Sequence, residues 1–207
     1  MNQFKSFAVA VGRVLLPALC FFLAWTVLFE LMRLILVIAT WSHHGNATTS
    51  LLLESFLRGA RFDLSVAAKL TLIFTVWMIW RPNPAQLEKK IVFVMFALVA
   101  LLSIFALISE VEFYKEFEQR LGRLTFEYFS TNSEHNAIIF GMIWNGYPVV
   151  RWMLACVAIW ILFVWLVRPL LIQKIPTLSS VGERAVATIL WAFISVVAIR
   201  GGLQQSV

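Results

Sequence analysis

Charge is what this sequence has least of. Asp, Glu, Lys and Arg make up 14% of its 207 residues, and 61% are hydrophobic, with a mean hydropathy of +0.85. Soluble domains carry about 25% charge. That shortage excludes a soluble single-core protein, a disordered chain and a nucleic-acid-binding domain. Cysteine is scarce too. Cys20 and Cys156 both sit inside long apolar runs, so neither a disulfide framework nor a thiolate metal site follows. His43, His44 and His135 have no acidic or thiol partners at ligand spacing, and no metal site is expected. A phosphate-binding P-loop, a G-x-S-x-G elbow, an H-E-x-x-H pair and a G-x-G-x-x-G turn are all missing, so no catalytic residue can be named.

Long apolar runs are what the chain does have. A membrane-spanning helix needs about 20 mostly apolar residues. Five segments qualify: about 14–40, 62–80, 91–109, 149–167 and 183–199. The expected fold is all-α and polytopic, a single membrane domain over 1–207. The first run is too long for a cleaved leader and lacks a small-x-small site after it, so it reads as a retained signal anchor. The fifth is the shortest, and Arg184 and Arg200 at its ends must snorkel. Barrel strands are excluded because the runs are continuous rather than alternating.

The basic balance follows the spans. Lys5, Arg13, Arg81, Lys89, Lys90, Arg168, Lys174 and Arg184 fall in the segments that are inside when the N-terminus is inside. Less Glu88 and Glu183, they account for the net charge of +6. The outer segments hold seven basic residues over a longer stretch. The bias predicts a cytoplasmic N-terminus and, after five spans, an extracytoplasmic C-terminus. The charge therefore points to a cytoplasmic membrane face and to no nucleic acid.

A few charges fall in or beside the spans. Glu30 and Arg33, three residues apart, share one helical face and are expected to form an intramembrane ion pair. Lys69 lies one to two turns into the second span, with Arg61 and Asp63 at its outer end. Two readings stand open. These groups either pair within the bundle and snorkel, or line a polar pocket for a lipid headgroup, with Arg61, Asp63, Lys69, Glu110 and Arg120 as its lining. A proton path is disfavoured because Glu30 is the one deep acid.

Segment 110–148 is the long non-spanning stretch. Phe113, Phe117, Leu121, Leu124 and Tyr128 fall within about 80° on a helical wheel. Glu112, Glu116, Arg120, Arg123 and Glu127 oppose them. This predicts an amphipathic helix on the outer interface, ending before Ser130–Thr131–Asn132–Ser133. A short apolar stretch, Ile138 to Trp144, then leads to Pro148 at the start of the fourth span. Asn46–Ala47–Thr48 fits a glycosylation sequon, which matters only in a eukaryotic secretory host.

Several short motifs carry a resemblance. They are Arg61-Phe62-Asp63-Leu64-Ser65, Glu110-Val111-Glu112-Phe113-Tyr114-Lys115-Glu116-Phe117, Arg120-Leu121, Phe126-Glu127-Tyr128-Phe129, Met142-Ile143-Trp144-Asn145-Gly146-Tyr147-Pro148 and Arg200-Gly201-Gly202-Leu203-Gln204. In this order and spacing they resemble the N-terminal membrane domain of the lipoteichoic acid synthase / phosphoglycerol transferase family. The likeness covers nearly the whole chain and is strongest over 58–148. Gly122 departs from it, since the pattern places asparagine after the Arg-Leu pair.

The resemblance implies a five-helix membrane domain followed by an extracytoplasmic domain of the alkaline phosphatase/sulfatase superfamily. That domain would carry a nucleophilic threonine and a divalent metal, usually manganese, and move glycerophosphate from phosphatidylglycerol to an acceptor. This sequence ends at Val207 without it, so the expectation is a bacterial inner-membrane anchoring and lipid-presenting domain, inactive alone and without a cofactor of its own. The rival expectation is a small transporter or accessory membrane subunit, which internal repeats would favour. None is visible.

Overall fold

The computed structural model describes residues 2–41, 48–81, 85–117, 133–172, 178 and 180–203. Among them no strand occurs. Six helices are present among the described residues: α1 (Asn2–Ala39), α2 (Thr49–Trp80), α3 (Gln86–Phe117), α4 (Ser133–Gly146), α5 (Val149–Ile172) and α6 (Val181–Leu203). Five of them contain stretches long and apolar enough to cross a membrane: Val9–Ala39, Thr49–Trp80, Gln86–Lys115, Val149–Leu170 and Val181–Arg200. The protein is an all-α, multi-pass membrane protein.

The helices overrun the apolar segments. α2 begins at Thr49, thirteen residues before the expected start of the second span at about 62. Leu51, Leu53 and Leu57 recur there beside an i,i+4 ion pair between Glu54 and Arg58, which supports helix outside the hydrocarbon. α3 likewise runs on through Phe117. Residues 110–117 of the expected interfacial helix are thus the last turns of α3, and Phe113 stacks on Phe117 at 4.5 Å. The remainder of that helix, 118–132, lies outside the described residues. Ile138 to Trp144 belongs to α4, which closes at Asn145–Gly146. Pro17 lies inside α1 and Pro169 inside α5. A proline costs a spanning helix one backbone bond, which neighbouring groups can offset.

The chain groups into two units. The first comprises residues 1–34, 46–94 and 166–207. Here α1 meets α2 through Phe21 and Phe74, edge to face at 5.7 Å, and meets α6 through Phe22 and Trp191 at 6.4 Å. Ala18, Ala67, Ala68 and Ala187 are buried, and such small residues let helix backbones approach closely. The Trp80 indole N–H donates to Thr188 Oγ1 at 3.1 Å, joining α2 to α6. Val11, Val14, Ile79, Leu178 and Ala187 form an apolar cluster in the same unit. α6 opens with a capping box. The Glu183 amide donates to Ser180 Oγ at 3.1 Å, and the Ser180 amide donates to Glu183 Oε2 at 3.2 Å.

The second unit comprises residues 35–45 and 95–165. Phe96, Ala100, Ile104, Ile108 and Val111 form the buried stripe of α3. Trp160 on α5 donates its indole N–H to the Ala97 carbonyl at 2.8 Å, and the Phe96 and Phe163 rings lie 6.0 Å apart. Lys115 bonds Glu112 at 2.9 Å and sits 5.6 Å from the Trp152 ring centre. Met95, Leu98, Leu102 and Phe105 cover one face of α3 and are more than half exposed. That face suits lipid, not water.

Candidate functional site

Charged side chains flank the crossings at a regular spacing. Arg13 and Arg33 on α1, Arg61 on α2 and Arg81 at its C-cap, and Lys90 and Glu110 on α3 are each twenty residues apart. A helix rises about 1.5 Å per residue, so each pair spans about 30 Å, the thickness of bilayer hydrocarbon. The corresponding pairs on α5 (Arg151, Arg168) and α6 (Arg184, Arg200) span about 24–26 Å. Three charged residues fall inside these limits among the described residues. Glu30 lies three positions in from Arg33, Asp63 two in from Arg61, and Lys69 eight in from Arg61.

The first of these sites joins α1 to α2. Arg33 donates from Nε to Asp63 Oδ2 at 2.8 Å, and its Nη2 lies 2.8 Å from the same oxygen as an ion pair. Nη2 also donates to the Gly59 carbonyl at 3.0 Å. Both side chains are 12% exposed. Gly59 is required by this arrangement. A Cβ there would overlap the guanidinium, whose Nε would stand 2.8 Å away. The planar head of Arg33 therefore lies against bare backbone one turn before its partner carboxylate.

Arg33 makes its ion pair with Asp63, not with Glu30 as the i,i+3 spacing suggested. A guanidinium offers a fork of donors. Asp63 takes the one from Nε and the Gly59 carbonyl takes one from Nη2 across the helix pair. Glu30 on the same helix has its Oε2 buried without a hydrogen-bond partner.

Of the five expected lining residues, Arg61, Asp63 and Lys69 lie on α2. Asp63 turns inward to Arg33. Arg61, two positions away and so on the opposite side of α2, is exposed, as is Lys69. Neither has an ion-pair or hydrogen-bond partner among the described residues. Glu110 is half-buried near the end of α3, in the second unit. Arg120 lies outside the described residues, as do His43, His44 and Asn46. No group of His, Cys, Asp or Glu able to hold a metal occurs among the described residues.

The features that sequence reasoning missed are Gly59 and the pairing across α1 and α2. A signal for the pairing existed. Arg33 and Arg61 each mark the end of a 30 Å crossing on consecutive antiparallel spans, so Asp63 and Arg33 had to lie at nearly equal depth. Comparison with family models, curated proteins and solved structures gave no match for this chain.

Proposed function

We propose that this chain is the membrane-anchoring and lipid-presenting domain of a phosphoglycerol transferase-like protein of the bacterial inner membrane. Its N-terminus would be cytoplasmic and its C-terminus extracytoplasmic. The chemistry would belong to an extracytoplasmic sulfatase-type domain with a divalent metal, probed with manganese, and this chain would hold the lipid substrate for it. One observation carries the reading. At the same depth of α2, Asp63 is neutralised by Arg33, while Arg61 faces outward with no partner. That leaves Arg61 as an exposed cation on the outward face of α2 at a hydrocarbon edge, where lipid phosphates lie. A cation near the membrane surface attracts anionic lipid by about 1 kcal/mol, or about fivefold.

The test is lipid enrichment around the purified full chain. Vesicles of phosphatidylcholine containing a minor fraction of spin-labelled phosphatidylglycerol report the fraction of immobilised label. Arg61→Gln should lower the preference for phosphatidylglycerol over labelled phosphatidylcholine by about fivefold. An unchanged preference refutes the lipid-presenting role.

A further inference from the structure

Lys69 is the charge that headgroup binding leaves unexplained. It lies eight residues from Arg61 and twelve from Arg81 on α2. Those separations are about 12 Å and 18 Å along the helix, so its backbone sits near mid-bilayer. Its side chain leans toward the Arg61 end and can bridge about half of the shorter gap. The ammonium group therefore stays well below the level of lipid phosphates. It is exposed and has no partner among the described residues. An ionisable residue held at that depth marks a functional contact by default.

The residues around it form a seam. Phe62, Val66, Lys69, Ile73, Val76 and Trp80 follow one another at alternating intervals of four and three. That is the heptad spacing by which one helix packs along another. Phe62 is 56% exposed, Ile73 74% and Trp80 44%. The seam is apolar except at its centre. Phe62, Lys69 and Ile73 stand exposed along it, and Trp80 at its far end also bonds Thr188 on α6.

We infer that this seam receives a transmembrane helix of a partner protein bearing a carboxylate, Asp or Glu, at mid-bilayer depth. Charge complementarity selects that occupant. A second copy meeting the same face would set Lys69 against Lys69 at equal depth. Its own span carboxylates would not help, because Asp63 is held by Arg33 and both it and Glu30 lie near the Arg33 edge. A phosphate is out of reach. A wholly apolar helix would leave the ammonium without a counter-charge. The ion pair would also set the partner's register, as a single buried polar position does in coiled coils.

The test uses the full chain in phosphatidylcholine vesicles. The probe is a Leu/Ala spanning peptide of about 22 residues with one central Glu and a terminal dansyl group. Energy transfer from the chain's tryptophans, Trp80 among them, reports association. The Glu peptide should associate about tenfold more tightly than its Gln counterpart. Lys69→Met should abolish that difference, and Lys69→Arg should keep it. Lys69→Met removes a charge from an apolar face, so α2 should still form; circular dichroism of the reconstituted variant checks this. Equal association of the Glu and Gln peptides overturns the inference, as does a Glu preference that survives Lys69→Met. A preference lost when phosphatidylglycerol replaces phosphatidylcholine assigns Lys69 to lipid phosphate and overturns it as well.

Discussion

Replacing Gly59 by alanine should destabilise the protein, although the same change normally strengthens a helix. In an ordinary helix interior, Gly→Ala gains about 1 kcal/mol. Here the added Cβ would occupy the place of the Arg33 guanidinium. Arg33 would have to withdraw, giving up its ion pair and hydrogen bond to Asp63 and its bond to the Gly59 carbonyl. Breaking a buried ion pair costs about 3–5 kcal/mol, because the partner stays buried and uncompensated. Set against the propensity gain, the net loss should be about 2–4 kcal/mol. The sign should reverse in an Arg33→Ala background. The space is then open, and Gly59→Ala should be neutral or stabilise by up to about 1 kcal/mol. Reversible unfolding in mixed micelles, followed by tryptophan fluorescence, measures all four members of the cycle. A Gly59→Ala loss of equal size in both backgrounds would refute the argument, since the cost would then have nothing to do with Arg33.

Two further changes address the joints of each unit. Trp160→Phe keeps an aromatic ring but removes the indole N–H that bonds the Ala97 carbonyl. It should cost about 1 kcal/mol and speed amide exchange around Leu101, with no effect near α6. Ser180→Ala removes half of the α6 capping box. It should cost about 1 kcal/mol and raise exchange at the Glu183 amide, while Ser180→Asp should restore both.

The five crossings were legible because a twenty-residue apolar run is a sufficient instruction on its own. Lipid satisfies no backbone group, so such a run has little choice but helix. The helix ends were not legible in the same way. Thr49 to Ala60 mixes leucines with Glu54 and Arg58, a pattern that fits helix, interface or loop until its surroundings are known. The site followed the same division. Glu30 and Arg33 advertise themselves by spacing along one helix. The pairing of Arg33 with Asp63 depends on which face of α2 turns toward α1, and helix rotation is set by packing contacts such as Phe21 on Phe74. Lys69 was visible as a buried-depth charge, but its outward direction required that same rotation.

The charged limits of α2 and α6 differ in length although both helices pack in one unit. Arg61 to Arg81 measures about 30 Å, Arg184 to Arg200 about 24 Å. Ile189, Phe193 and Val196 on α6 are exposed. Lipid beside them meets a belt about 6 Å shorter than the one around α2. Acyl chains there must compress, tilt or be replaced by shorter ones, at a fraction of a kcal/mol for each ångström of mismatch. The protein thus carries a built-in thin sector in its own lipid annulus. Membranes rich in short or unsaturated chains should hold it under less strain than thicker ones, so bilayer thickness becomes a variable that selects where this chain resides.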